Sequence, residues 1–407
     1  MSSTLEHDPR VIEDSAGLRG IVADYRRRLR GGDIGQLPVI VGLIVIGAIF
    51  QITTDGVFLT PFNLVNLTLQ MAATGTIAIG IVLVLLLGEI DLSVGVVSGV
   101  CAGVMAVLSV NYDLPGPLAV GAGLLAGAAI GALQGAWITW FGIPSFVVTL
   151  AGLLSWQGAL LSVLGRTGTI NLVDPFITAL AGTYLHGLAA WAAAALFLAY
   201  IALGPILTRR SRQAAGLTVP PLGVVAIRSI AITVVVIVIV LVLDSDRGIG
   251  SALLFLLGAI IIMDFVLQRV RFGRMIYAIG GNAEAARRAG IPVRRVRVIV
   301  FMLASLFAAW GGILGASRLL AVNQSAGAGP VLVNAIAAAV IGGTSLFGGR
   351  GSVWSALLGM MVIQSISSGM DLLSLSSGIK FMITGAVLLA TVTIDAVLRR
   401  SGAAIKR

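Results

Sequence analysis

Long apolar runs recur along this chain with short polar breaks between them. Twelve can be delimited, at residues 37–54, 63–87, 93–110, 118–140, 144–164, 188–207, 227–243, 249–267, 298–320, 331–346, 352–372 and 378–398. Most are close to the roughly 20 residues that an α-helix needs to cross the hydrocarbon core of a bilayer. The pattern predicts an all-α, polytopic membrane protein with about 12 transmembrane helices. One break stands out: residues 268–297 form a long, polar and strongly basic loop between two apolar spans. Inside it, Ala283 to Ala289 is built of strong helix formers. Asn282 stands at the N-cap position, Glu284 in the first turn, and Gly290 and Pro292 supply a stop signal. A short, capped, charged helix held at a membrane surface is suited to docking on another protein.

Composition agrees with the pattern. The chain is 58% hydrophobic and only 11% charged, which sets a soluble core aside. Its 52 glycines suit close packing of membrane helices. The net charge of +10 could suggest a nucleic-acid partner, but its placement argues otherwise. If the spans alternate, 23 of the 27 basic residues fall on one face, leaving Arg166, Arg247, Arg318 and Lys380 on the other. By the positive-inside rule both termini and the 268–297 loop are cytoplasmic, and no nucleic acid is needed to explain the charge. The expected organisation is a basic cytoplasmic leader over 1–36 without a signal peptide, a transmembrane domain over 37–398, and a cytoplasmic tail over 399–407.

Several chemistries are excluded. One cysteine, Cys101, and two histidines, His7 and His186, make no metal constellation. The two lysines, Lys380 and Lys406, do not end a Gly-x-x-x-x-Gly-Lys run, so this chain has no P-loop and is not itself an ATPase or another enzyme. Uphill transport would draw its energy from a partner or an ion gradient.

Two further breaks carry glycine-rich polar sequence at membrane depth. One runs Gly88-Glu89-Ile90-Asp91-Leu92-Ser93-Val94-Gly95, the other Ile341-Gly342-Gly343-Thr344-Ser345-Leu346-Phe347-Gly348-Gly349-Arg350-Gly351-Ser352-Val353. Carboxylates and free backbone there must be covered by protein or water. Superposing them aligns Gly88 with Gly342, Leu92 with Leu346 and Gly95 with Gly349, which hints at a parallel internal repeat.

The loop pattern G-x-N-x-x-A-A-R-x-x-G-I over Gly280–Ile291 resembles the coupling loop of the ribose/xylose-type permeases of bacterial ABC sugar importers. Both junctions resemble that family's G-G-I-D-L-S-V-G and I-G-G-T-S-L-F-G-G-x-G-S segments, in the same order and spacing. Glu89 departs from the glycine common there. An additional polar, proline-bearing loop and helix over 205–245, with Ser367–Leu373, looks most like the xylose-type members. The resemblance implies a permease for a pentose, most specifically D-xylose. Two copies would form the pore, separate ATPase subunits using ATP and magnesium would bind the coupling loops, and an extracytoplasmic sugar-binding protein would deliver substrate. This chain would bind no cofactor and sit in the inner membrane among lipid. Asn282, Glu284, Ala285, Ala286, Arg287, Arg288 and Gly290 would carry the ATPase contact. Gly88, Asp91, Ser93, Gly95, Gly342, Gly343, Gly348 and Gly349 are the motif positions of the junctions.

For a sugar path, Asn63, Asn66, Gln70 and Thr74 share one face of the second span, and Asn334 and Gln364 add amides in the tenth and eleventh. Amides can bond sugar hydroxyls without the retention a fixed charge would bring. Interhelical hydrogen bonding is the plainer role for each of them. The rival function is a self-contained, proton-coupled sugar carrier using Glu89, Asp91, Asp264 or Asp371, which would leave the coupling-type loop without a purpose.

Overall fold

The computed structural model describes residues 37–214 and 222–404; the expected leader over 1–36 lies outside them, as do 405–407. In chain order the first elements are α1 (Leu37–Thr53), α2 (Pro61–Leu86), α3 (Val94–Val110), α4 (Gly116–Phe141), α5 (Ser145–Leu164), the short strand β1 (Thr169–Asn171) and α6 (Pro175–Gly182). There follow α7 (Gly187–Ala214), α8 (Leu222–Asp244), α9 (Ser251–Arg269), α10 (Arg271–Gly281), α11 (Ala283–Arg288), α12 (Val293–Leu319), β2 (Ala321–Asn323), α13 (Pro330–Ile341), α14 (Trp354–Leu372) and α15 (Ser377–Ala404). Two compact units result. Among the described residues, the larger holds 37–184 and 250–393, and the smaller holds 185–214, 222–249 and 394–404.

Each expected apolar span is helical, which makes the protein an all-α polytopic membrane protein. Among the described residues, six helices are long and apolar enough to cross a bilayer by length and composition: α2, α4, α5, α7, α9 and α12. Of the other spans, α1, α3 and α13 give apolar helices of 17, 17 and 12 residues and α14 one of 19 with Asp371 near its end, whereas α8 and α15 run to 23 and 28 residues. The expected crossing at 331–346 departs most. Its helix stops at Ile341 after 12 residues, about 18 Å at 1.5 Å per residue, against a core about 30 Å thick. The expected boundary at residue 398 is not a helix end, since α15 runs to Ala404.

The core of the larger unit is α12 with α2, α3 and α4 packed along it. Small residues permit this. Gly123, Gly127, Gly131 and Gly135 recur at every fourth position of α4 and meet α12 or α3, and a Cβ at Gly131 would overlap the Phe301 carbonyl. Gly80 of α2 meets Ala304 of α12 in the same way. Backbones that approach this closely gain van der Waals contact where lipid offers no hydrophobic driving force between helices. On one side of this unit β1 pairs antiparallel with β2, Ile170 opposite Val322. Nearby, Asp174 caps α6, accepting from Phe176 N and Ile177 N, and also accepts from Gly116 N at the start of α4. Residues 116, 169–174 and 321–323 all lie where alternating spans put one common face.

Within the smaller unit, α7 and α8 pack against each other, and Pro205 lies inside α7. The Asp244 carboxylate accepts from Gly187 N at 3.0 Å and lies 3.5 Å from His186 Nδ1. Of the additional loop and helix expected over 205–245, the stretch up to Ala214 continues α7, residues 215–221 lie outside the described residues, and α8 supplies the helix.

Candidate coupling site and polar path

The two glycine-rich junctions and the basic loop meet at one place. Leu86 ends α2, so its carbonyl lacks the intrahelical partner that mid-helix carbonyls have. Gly349 N donates to it at 2.9 Å. Gly348 lies against the Gly88 backbone, and a Cβ there would stand 2.8 Å from Gly88 N and 2.7 Å from Gly280 O. Gly280, at the end of α10, is wedged between Leu86 O and Gly349 N. Both Gly88 and Gly348 have φ near +80° (77° and 82°), which glycine adopts without strain. Tyr277 of α10 donates from its hydroxyl to Gly351 O at 2.9 Å. Burial, and then the Asp264 carboxylate, pushes that phenol up from its ordinary value. Glu89 pairs with Arg297 near the start of α12, at 2.9 Å.

Two backbone amides of the first junction are bonded by side chains of α5. Ile90 N donates to Ser145 Oγ and Leu92 N to Thr149 Oγ1, both side chains on the first turns of α5. Asp91 is buried, and its Oδ1 accepts from the backbone and hydroxyl of Ser93. The Ser93 hydroxyl in turn lies 3.0 Å from Gln134 Nε2 of α4. Gly95 lets α3 approach Gly327 and Leu332, and Gly342 faces the Ser355 carbonyl. Gly343, at φ 102°, serves the turn that ends α13 and has open space at its Cβ position. The superposed glycines differ in backbone, with φ 77° at Gly88 and −67° at Gly342, and the helices before them are 26 and 12 residues long. The junctions therefore share sequence but not conformation, which weighs against the repeat.

The basic loop is two helices rather than one. α10 buries Ile276 and Ile279 against the unit, and α11 follows after Asn282. Asn282 caps α11 as expected, its side-chain oxygen accepting from Ala285 N at 2.9 Å, and Gly290 ends it at φ 82°. Ala286 is buried, whereas Ala285 is exposed. Glu284 bonds Arg287 and Arg288, and those hydrogen bonds hold its carboxyl below the usual range. Both arginines keep most of their surface free, at 71% and 80% exposed. α11 thus presents a charged outer face while Ala286 seats it.

Of the polar-path residues, Gln70 and Gln364 are brought together: Gln364 Nε2 donates to Gln70 Oε1 at 2.7 Å, bridging α2 and α14. One turn pair away, Ser368 donates to Asn63 Oδ1 at 3.0 Å. Asn66 and Thr74 are half-buried on α2, and Asn334 is half-buried on α13. The Glu89–Arg297 pair, Tyr277 and Gly280 were not among the residues expected at the site. Glu89 was signalled by standing where the resembling family has glycine, and Gly280 by opening the loop pattern, whereas Arg297 and Tyr277 carried no such mark.

The profile of the family described as "Branched-chain amino acid transport system / permease component" matches residues 63–392. The Escherichia coli (strain K12) xylose transport system permease protein XylH is 37% identical over 372 residues, covering 91% of this chain and 94% of that protein. The Haemophilus influenzae XylH is 35% identical over 368 residues, 90% and 98% of the two chains. The Bacillus subtilis ribose import permease protein RbsC is 32% identical over 364 residues, 89% and 94%. No solved structure matches the chain. With the family profile and these relatives each covering most of its length, the chain belongs to this family of transport-system permease components, on the side of it that holds the xylose- and ribose-type permeases.

Proposed function

We propose that the chain is the membrane-spanning subunit of an ATP-driven ABC importer for a pentose, D-xylose in particular. It forms the translocation path and couples it to a separate ATPase subunit that uses ATP and magnesium. An extracytoplasmic sugar-binding protein delivers the sugar, a second copy of the chain completes the pore, and both termini face the cytoplasm of a cell surrounded by an inner membrane. The relatives named for xylose support the substrate. The observation that carries the mechanism is the meeting of Gly280 with Leu86 and Gly349, which links the coupling-type helices to both broken junctions. ATPase closure would push on the exposed face of α11. That push reaches the ends of α2 and α13 through backbone contacts that leave no slack, and two packed arrangements of the bundle alternate access. The Gln70–Gln364 pair, with Asn66, Thr74 and Asn334, supplies the amides and hydroxyl along the path.

The proton-carrier reading has four candidate acids, and each is engaged apart from the others. Glu89 pairs with Arg297, Asp371 with Lys380, Asp264 accepts from Gln268, and Asp91 from Ser93. Reconstituted vesicles decide between the readings. Xylose uptake should require ATP, the ATPase and the sugar-binding protein, and should persist when the proton gradient is collapsed. Accumulation by this chain alone under an imposed pH gradient would overturn the importer.

A further inference from the structure

Glu89 lies in the extended segment after α2, and Arg297 in the second turn of α12, with Arg297 Nη2 donating to Glu89 Oε1 at 2.9 Å. The side chains are 14% (Glu89) and 30% (Arg297) exposed, unlike the open Glu284 pairs on α11. Ion pairs in full solvent contribute little, but removing one partner of a shielded pair strands the other charge. The position of the pair matters as much as its shielding. α11 runs into α12 through a tight turn in which Ile291 N donates to Ala286 O at 3.1 Å, so a displacement of α11 is delivered to the start of α12. On the other side, Glu89 begins the strip Ile90–Ser93 that α5 and Gln134 hold in place. The remaining links between loop and junctions named above are neutral backbone or hydroxyl bonds. Arg294 and Arg295, in the same turns of α12, are exposed.

We infer that the Glu89–Arg297 pair is a latch through which movement of the coupling helix α11 reaches the α2–α3 junction. Both residues are then positioning residues of the transport cycle. This inference rests on the coupling reading proposed above. The latch also has a second hold in reserve, because Arg297 Nε is buried and has no acceptor among the described residues. A guanidinium presents five donors in a rigid fork, so a shifted junction can be gripped through the unused edge instead of being released.

The test uses the complete importer, reconstituted with its ATPase and sugar-binding protein, and the permease alone. The variants are Glu89→Gln, Arg297→Gln and the exchange Glu89→Arg with Arg297→Glu. In either single variant the sugar moved per ATP hydrolysed should fall by about fivefold or more while ATP hydrolysis continues, the size of a typical coupling between sites. The exchange should bring most of that ratio back. In the permease alone, amide hydrogen exchange should quicken at residues 86–93 and at 289–297 together in each single variant, and slow again in the exchange. Single variants with an unchanged ratio, or quickening confined to the mutated segment, would overturn the latch. If the unmodified importer takes up sugar without ATP, the proposed function fails, and the exchange pattern of the permease alone still decides whether the two segments are latched.

Discussion

Gly349 donates its amide hydrogen to the carbonyl oxygen of Leu86 at 2.9 Å, so the break after α13 closes the open end of α2. Gly280 fills the remaining space at that bond, and a Cβ there would overlap Leu86 O and crowd Gly349 N at 2.5 Å. Both neighbours are backbone, which cannot step aside as a flexible side chain can.

Gly280→Ala should therefore cost about 1–3 kcal/mol, the usual price of overpacking, and should lower uptake more than it lowers yield. Gly281→Ala is the matched control, because its Cβ position has nothing within 4 Å. Thermal unfolding in detergent, measured beside uptake per assembled transporter, checks both. Equal effects of the two substitutions would mean that the close contact carries no function.

Reversing charge at Arg287 and Arg288 tests the outer face of α11. Neither side chain supports the interior, and their partner Glu284 lies on the same helix. Arg287→Glu with Arg288→Glu should leave yield and melting temperature nearly unchanged while the ATPase no longer co-purifies and receptor-stimulated ATP hydrolysis drops. Retained co-purification would take these residues out of the ATPase contact.

Asn282 offers a separate handle on the same helix, because its side chain satisfies the Ala285 amide. Asn282→Ala should cost about 1 kcal/mol locally, a roughly fivefold faster hydrogen exchange over 283–289, whereas Asn282→Asp should keep the cap. If transport falls in step with exchange across such a pair, an ordered α11 is what the ATPase grips. Transport that ignores the exchange rate would show that the helix forms only on docking.

The sequence foretold these elements unevenly, for physical reasons. Apolar run length marked every long helix, because a membrane helix must satisfy its own backbone and so announces itself locally. The α11 cap was equally local: Asn282, Glu284 and Gly290 do their work within one turn. α6 escaped notice because eight residues are too few for a span, although Asp174-Pro175 is an N-cap followed by proline at the first helical position. α10 escaped because its buried face is little more than Ile276 and Ile279 within a basic stretch. Contacts between distant segments, such as Gly280 with Leu86 or Glu89 with Arg297, leave no periodic trace. The stripe on α2 was legible as a stripe, but not that Gln70 would find Gln364.

That amide pair carries the last prediction. Gln364→Leu removes the donor to Gln70 Oε1 and leaves a half-buried acceptor facing a hydrocarbon side chain. The loss should be about 0.6–2 kcal/mol, the range for interhelical hydrogen bonds in membranes. Gln70→Leu should cost a similar amount, and the double replacement should cost less than either one alone, since it strands neither group. Stability alone would thus recover in the double variant. Sugar flux should not, because the path proposed here needs the amides themselves to bond hydroxyl groups. Xylose uptake per correctly assembled transporter, with melting temperature measured on the same samples, separates the two roles. Flux that recovers along with stability would make Gln70 and Gln364 a brace between α2 and α14, and the sugar path would have to run elsewhere.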